Sequence, residues 1–215
     1  MNYIHRDKQS LPQLAKTSEQ FQKEIAGMDR KSAYAHFKKR KNVLKYNTEE
    51  TTNEFKSMND ERCSFCTRII LEFEDEMTVE HIETKTSAPN KIYEWNNLLC
   101  ACRTCNTKRS IKEYSVSKYL NPTKVSDIEK YFAYHADGTI SAATGLTKQE
   151  NQAAEYMIEM YGLNRDSLKY ERRSFLKDLQ EDEFYEGLLR QKMDSRRIIL
   201  RSVLTYYKRR IRDGK

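Results

Sequence analysis

The chain has 215 residues, 38% of them hydrophobic and 33% charged, and a formal net charge of +7 at pH 7. This length allows one domain with appendages or two small domains, and the low content of Gly (6) and Pro (3) predicts a helix-rich fold with a thin core. No segment approaches the roughly 18 apolar residues of a membrane span and no signal peptide is recognisable, so we expect a soluble cytoplasmic protein without a membrane partner.

The polar residues 1–61 are predicted to form an N-terminal helical segment. Helices are expected at about residues 11–25 and 31–44, and a short third helix is expected within residues 47–63. The second helix ends in the basic cluster KKRK at residues 38–41. Such clusters attract phosphate backbones, although a solvated helix face gives the same pattern.

Four of the five cysteines form two C-x-x-C pairs. Cys63 and Cys66 form the first pair, Cys102 and Cys105 form the second, and Cys100 is left over. In a reducing compartment such pairs indicate metal ligands rather than disulfides, and four thiolates suit structural zinc. We predict a closed zinc site of two C-x-x-C pairs, with Cys100 as a competing ligand.

The segment between the pairs carries polar residues of a different kind. The runs RIILEF and MTVEHIE are interpreted as a hairpin or an extended strand pair, which places Glu80 and His81 on a strand. Asn97 follows in WNNLL, and Asn106 comes directly after the last cysteine, where a basic helix is expected to begin. Each residue alone is typical of a structural role, and their order is more specific than any one of them.

This order resembles the HNH endonucleases, the ββα-metal nuclease family, over residues 63–108. The resemblance implies that His81 is the general base and that Asn97 orients its imidazole and fixes the loop between the strands. Glu80 and Asn106 are then the oxygen ligands of a catalytic Mg²⁺ or Mn²⁺. The pattern departs from many members in having Glu before the histidine and Asn at the last position.

Some neighbouring residues have roles that the pattern leaves open. Asn96 is an alternative to Asn97, and Glu83 could assist the site. Three basic side chains are expected to contact nucleic-acid phosphates: Lys85, Lys108 and Arg109.

Residues 114–145 are predicted to be irregular, with one small hairpin at an Asp137-Gly138 turn. A capping box at Thr147 and Glu150 predicts the start of a helix that ends near Gly162.

Two long helices are expected after residue 164, with a break near Gly187. Residues 190–215 carry ten Lys/Arg and two Asp/Glu. The segment also contains apolar residues. Its apolar side could dock a partner while its Lys/Arg side faces nucleic acid, or the apolar side could pack on the chain's own core.

The predicted fold class is α+β and mostly helical: an N-terminal helical segment (1–61), a zinc-bracketed ββα-metal core (62–113) and a helical C-terminal region (114–215). The outer motifs MNYIHRD, YLNPTK, ADGTI and YGLNRDSLKYERR resemble the PtuB family, the HNH subunit of Septu-type and retron-linked anti-phage systems. The usual HFRPK of that family is HIETK here. The resemblance implies a PtuA-like partner ATPase of the ABC/SMC type and, in retron-linked versions, a reverse transcriptase and an RNA–DNA hybrid.

The sequence is therefore interpreted as a metal-dependent nuclease of a bacterial anti-phage system, with DNA as the first-choice substrate and RNA as the second. The alternative is a non-catalytic zinc-bound adaptor that binds nucleic acid or an ATPase. An adaptor needs the cysteines but has no use for the Glu80-His81, Asn97 and Asn106 set.

Overall fold

The N-terminal part of the protein is helical, as predicted. The structure is a computed structural model that describes residues 1–70, 76–110 and 115–180 together with Val203. The first three helices are α1 (Pro12–Glu24), α2 (Arg30–Arg40) and α3 (Glu49–Met58). The Asp29 carboxylate accepts a hydrogen bond from the Ser32 backbone at the start of α2, and Thr48 caps α3 in the same way. Each cap marks the start of its own helix, and residues 41–48 form the loop between α2 and α3.

The central part is a ββα unit. Antiparallel strands β1 (Met77–His81) and β2 (Leu98–Cys102) pair so that Met77 faces Cys102 and His81 faces Leu98. Helix α4 (Arg103–Ser110) follows β2 directly. Every residue of β2 is buried, whereas in β1 only the last two residues are, so the Glu80-His81 end of the strand enters the interior.

The predicted pairing of RIILEF with MTVEHIE is wrong for the residues that the structure describes. Ile69 forms a bridge to Arg62, and the Ile70 backbone N–H donates to the Glu61 carbonyl, because the chain turns back on itself around the first cysteine pair. The apolar strand β2 is instead the partner of β1. Residues 71–75 of the predicted hairpin lie outside the described residues.

The C-terminal region contains the predicted small hairpin and two helices. Its elements are β3 (Phe132–Tyr134), β4 (Ile140–Ala142), α5 (Lys148–Met160) and α6 (Asp166–Gln180). Gly138 in the hairpin turn has a φ of +82°, and a side chain there would collide with the Lys169 backbone carbonyl. Thr147 and Glu150 form the predicted capping box at the start of α5.

The predictions for the last part of the chain concern residues beyond α6. The second long helix, the break near Gly187 and the basic segment at residues 190–215 lie outside the described residues, except for Val203, which is buried. None of the helices in the described part of the chain is long and apolar enough to cross a membrane.

Aromatic contacts join the ββα unit to both flanking regions. Trp95, just before β2, stacks on Phe55 of α3 with ring centroids 5.0 Å apart. Phe65, between the first two cysteines, stacks on Tyr161 at the end of α5 at 3.6 Å. The buried apolar side chains of all three regions form one cluster, so the position of the central unit depends on both flanks.

Candidate metal centre and active site

The four cysteines of the two C-x-x-C pairs come together in the interior. The Sγ atoms of Cys63, Cys66, Cys102 and Cys105 all lie within 4.8 Å of one another, and all four residues are buried. The Cys66 and Cys102 sulfurs are 3.9 Å apart. Zinc–sulfur bonds of about 2.3 Å in a tetrahedron give sulfur–sulfur edges of about 3.8 Å, so this cluster fits zinc with four thiolate ligands.

Backbone hydrogen bonds build this cluster from two distant segments. The Thr67 N–H donates to the Cys63 carbonyl, which closes the first turn, and the Ser64 N–H donates to the Cys100 carbonyl on β2. Cys100 itself is buried outside the four-sulfur cluster, and burial raises the pKa of its thiol above the usual range. The C-x-x-C spacing therefore identified the four sulfur atoms that cluster, and Cys100 lies outside them.

Arg165, just before α6, is a neighbour of this cluster that the sequence reasoning missed. Its Nη1 lies 3.6 Å from Cys105 Sγ, and it also donates to the carbonyls of Tyr161 and Gly162. Four thiolates and one Zn²⁺ carry a net charge of −2, so a nearby guanidinium stabilises the loaded cluster. The residue lies about sixty positions from Cys105, and no local spacing rule connects the two.

A cleft of about 550 Å³ opens beside β1. Five of the predicted site residues line it, although they come from a strand, a loop and a helix: Glu80, His81, Lys85, Asn106 and Arg109. The N-terminal region contributes five further lining residues: Tyr34, Tyr46, Asn47, Thr52 and Phe55.

His81 is held in one orientation and one tautomer. Its imidazole is only 3% exposed, and Nε2 lies 3.0 Å from the Ile92 carbonyl oxygen. Because a carbonyl only accepts, Nε2 carries the hydrogen and the lone pair is on Nδ1. Burial, together with the nearby charges of Lys85 and Arg109, lowers the pKa of His81 to about 3, so the ring is neutral at physiological pH.

Glu80 forms a buried ion pair with Arg109. Burial raises the pKa of the Glu80 carboxyl to about 7, although Arg109 and Lys85 both oppose this shift. The Arg109 guanidinium contacts the Glu80 carboxylate and donates a 2.6 Å hydrogen bond to the Ile82 carbonyl. Arg109 also lines the cleft, but its residue is only 7% exposed and its guanidinium is engaged by Glu80 and Ile82, so the geometry favours a role in holding Glu80 over the expected phosphate contact.

Asn106 presents its side chain to the same cleft. Its Nδ2 donates to Thr78 Oγ1 at 2.9 Å and to the Val79 carbonyl at 3.4 Å, which leaves the amide oxygen to face the cleft. A carboxylate and an amide oxygen are the ligands that Mg²⁺ and Mn²⁺ favour. The chemistry of Glu80 and Asn106 thus fits a hard divalent cation. Together with Arg109, such a cation would offset the free-energy cost of burying the Glu80 carboxylate.

Asn97 fixes the loop between the strands rather than the imidazole itself. Its side-chain oxygen accepts from the Glu83 N–H, and its Nδ2 donates to the Glu83 and Lys91 carbonyls. The direct partner of the imidazole is Ile92, which follows Lys91 in the same loop. Asn96 is exposed, so Asn97 is the asparagine that ties this loop together.

Lys85 and Tyr46 form a polar pair next to the imidazole. Lys85 Nζ donates to the Tyr46 hydroxyl at 3.0 Å, and the Tyr46 ring meets the His81 ring edge-on at a centroid distance of 4.7 Å. Sequence reasoning singled out Lys85 but missed Tyr46, which lies in a loop without a recognisable motif.

Lys108, the other predicted phosphate contact, is exposed on α4, and Glu83 is paired with Lys91.

Comparison with known proteins identifies the ββα unit. Residues 61–112 match the HNH endonuclease family, and this stretch contains both cysteine pairs and all four polar site residues. The chain therefore contains an HNH endonuclease domain with a four-cysteine cluster that could bind zinc.

Two relatives from bacteria are similar to longer parts of the chain. Septu protein PtuB from Bacillus thuringiensis is 33% identical over 66 residues, which cover 31% of this chain and 26% of PtuB. A protein of retron Vc95 from Vibrio cholerae serotype O1 biovar El Tor, named as a candidate HNH endonuclease, is 27% identical over 129 residues. That match covers 57% of this chain and 62% of the relative, so the chain spans less than two thirds of either protein.

Proposed function

We propose that this protein is a metal-dependent nuclease that hydrolyses phosphodiester bonds of nucleic acid, with His81 as its general base. The state of the imidazole is the observation that carries the proposal. The ring lines the cleft and is anchored through Nε2 to the Ile92 carbonyl, so its Nδ1 is the atom left to accept a proton. The HNH domain match supports the same reading.

In this proposal the side chains divide the reaction among them. His81 Nδ1 removes a proton from the attacking water, whose oxygen then bonds to phosphorus as the bond to the leaving oxygen breaks. Glu80 and Asn106 hold Mg²⁺ or Mn²⁺, which when bound stabilises the negative charge that develops on the phosphate and the leaving oxygen. Asn97 keeps the Ile92 carbonyl in place, and Lys85 and Lys108 bind phosphates of the substrate.

Zinc has a structural part in this proposal. Four thiolate ligands fill a tetrahedral site and leave no position for water or substrate. The cluster joins the turn before β1 to the start of α4, which carries Asn106. Zinc would thus hold the ββα unit closed while the oxygen ligands beside His81 hold the catalytic cation.

The biological setting is proposed from the two relatives. We infer that the protein is the cytoplasmic nuclease subunit of an anti-phage defence system of the Septu or retron kind. Its partner would be a PtuA-like ATPase of the ABC/SMC type, with a reverse transcriptase and an RNA–DNA hybrid as further components in a retron setting. DNA is the first-choice substrate and RNA the second, and both share the phosphodiester that the site requires.

The decisive experiment compares wild type with His81→Ala, each produced together with the proposed PtuA-like ATPase in cells that are challenged with phage. Nucleic-acid cleavage and protection of the cells are measured, and zinc content is checked in the purified proteins. His135→Ala is the matched control, because this exposed histidine lies on the β3–β4 hairpin.

We expect His81→Ala to lose cleavage and protection while it retains zinc, and His135→Ala to behave as wild type. If His81→Ala protects as well as wild type, the nuclease proposal is wrong. The zinc-bound adaptor, which needs the cysteine cluster but no general base, would then replace it.

A further inference from the structure

We propose that Tyr46 and Lys85 together bind a backbone phosphate of the nucleic acid, so that the active site includes a residue from outside the HNH domain. The inference rests on the proposed function and deepens it, because it names the groups that hold the substrate. Tyr46 lies in the loop between α2 and α3, fifteen positions before the matched stretch of residues 61–112 begins.

The direction of the hydrogen bond between the two side chains leaves donors for a ligand. An ammonium group has three N–H donors and no acceptor, so in the 3.0 Å contact Lys85 donates and the Tyr46 oxygen accepts. The Tyr46 O–H hydrogen therefore points to another acceptor, and Lys85 has two further N–H donors. A phosphate diester offers two non-bridging oxygens that share one negative charge, and these acceptors match this set of donors.

The charge of Lys85 is available to such a ligand. Its Nζ lies over the rings of Tyr46, at 5.1 Å, and Phe37, at 5.8 Å. In the part of the chain that the structure describes, Lys85 forms no salt bridge. Glu80, an acid that lines the same cleft, is paired with Arg109. Aromatic faces orient the ammonium without neutralising it, so its positive charge remains directed at the cleft.

Tyr46 also fixes the distance between this donor pair and the general base. Its ring meets the His81 ring at 89° and 4.7 Å, while its hydroxyl holds Lys85. Both partners of Tyr46 line the same cleft as Asn106. A phosphate bound by the pair would therefore lie beside the atom that activates water, which is the arrangement that hydrolysis requires.

The test uses the zinc-loaded full chain and four variants. Tyr46→Phe removes one hydroxyl and keeps the ring, Lys85→Met removes the charge at similar length, and the double variant removes both. Lys85→Arg restores the charge. The matched control is Lys148→Met, which removes the same charge from the exposed start of α5, outside the cleft.

Two readouts separate substrate binding from chemistry. Affinity for a short labelled DNA duplex is measured over a range of salt concentrations without added Mg²⁺ or Mn²⁺, so that nothing is cut. Single-turnover cleavage is then measured with Mg²⁺, and melting temperatures are recorded for all variants.

We expect Lys85→Met to weaken binding about threefold to tenfold and to reduce the salt slope of log Kd by about one, whereas Lys148→Met leaves both close to wild type. Cleavage by Lys85→Met or Tyr46→Phe should fall about 10- to 100-fold at unchanged melting temperature. The double variant should be no slower than the slower single variant, because the pair acts as a unit. Lys85→Arg should recover most of the binding.

The outcomes distinguish this inference from the proposed function. If wild type cuts and Lys85→Met binds and cuts equally well, the phosphate site is wrong and the nuclease proposal stands. If wild type cuts nothing even with the partner ATPase added, but Lys85→Met loses binding and salt dependence relative to Lys148→Met, the phosphate site stands and the nuclease proposal is wrong.

Discussion

The carboxylate of Glu80 is paired with the guanidinium of Arg109 in the interior, where 3% and 7% of the two residues are exposed. The pair joins the end of β1 to α4, and the same guanidinium also holds the Ile82 carbonyl. Arg109 thus holds in place the carboxylate that we propose as a cation ligand. This relationship between the two residues leads to the first prediction.

Arg109→Ala should lower the free energy of unfolding by about 3 kcal/mol at pH 8, because removal of one partner leaves a buried carboxylate without compensation. The pKa of Glu80 is already raised to about 7, and loss of Arg109 raises it further. A raised carboxyl pKa costs stability as pH rises through it, so the loss should be smaller at pH 6, where the carboxyl is mostly protonated. Urea denaturation of the zinc-saturated protein at both pH values measures the difference.

Arg103→Ala is the control for that experiment. Arg103 pairs with Glu76 at the surface, where both side chains are more than 60% exposed. An exposed pair contributes about 0 to 1 kcal/mol, so this variant should remain close to wild type at both pH values. Equal destabilisation by the two variants would contradict a special role for the buried pair.

Binding of Mn²⁺ should depend on the protonation of Glu80. Since the pKa of its carboxyl is about 7, a proton competes with the cation below that pH, and affinity should fall about tenfold per unit between pH 6.5 and 5.5. Above pH 8 it should be constant. His81, with a pKa lowered to about 3, stays neutral over this range and adds nothing to the dependence. Calorimetric titration of the zinc-loaded protein with Mn²⁺ gives the affinities.

Glu80→Gln tests the assignment of that proton. The amide is uncharged, so the variant should bind Mn²⁺ weakly and with no dependence on pH across the same interval. A wild-type affinity that is equal at pH 6 and pH 8 would rule out Glu80 as a ligand of the cation.

The sequence predicted the parts of the site that local patterns encode. The C-x-x-C spacing identified the four cysteines of the cluster, and the order of Glu80, His81 and Asn106 identified three residues that line one cleft. The helix start at Thr147 was also predicted, because a capping side chain acts on a backbone only a few residues away.

The remaining parts depend on contacts between distant segments. Tyr46 reaches His81 across 35 positions, and Arg165 reaches Cys105 across 60, through packing that no spacing rule encodes. The burial of Arg109 was missed for the same reason. In a sequence, a basic residue that faces solvent cannot be distinguished from one that pairs with a buried carboxylate. The partner of β1 was predicted wrongly, because pairing depends on which strand can cover a buried face.

Asn97 and Asn96 are adjacent in sequence but should respond very differently to substitution. Asn97→Ala removes three hydrogen bonds to the backbone of Glu83 and Lys91 in a buried position. A loss of about 2 to 3 kcal/mol in stability is expected, together with slower cleavage, because the Ile92 carbonyl in the same loop loses its fixed position. Asn96→Ala, at an exposed site, should change stability by less than about 0.5 kcal/mol.

Thermal denaturation and single-turnover cleavage of these two variants give the comparison. Zinc content should be equal in both, since neither side chain touches the cysteine cluster. An Asn97→Ala protein that is as stable and as active as Asn96→Ala would show that the loop does not need this side chain to hold the imidazole.

Removal of zinc should unfold the ββα unit, and the cysteines should differ in their effect. Cys105→Ala removes one thiolate from a site with sulfurs within 4.8 Å of one another, so zinc content and helical signal should both fall. Cys100→Ala is the matched control, since this residue is equally buried on β2 but lies outside the cluster. It should retain one zinc per chain, and the small cavity left by the missing sulfur should lower the free energy of unfolding only modestly.

Zinc analysis and circular dichroism, with and without a strong chelator, measure the zinc content and the helical signal. Loss of zinc from Cys100→Ala alone would mean that the C-x-C spacing, and not the C-x-x-C pair, supplies the second pair of ligands.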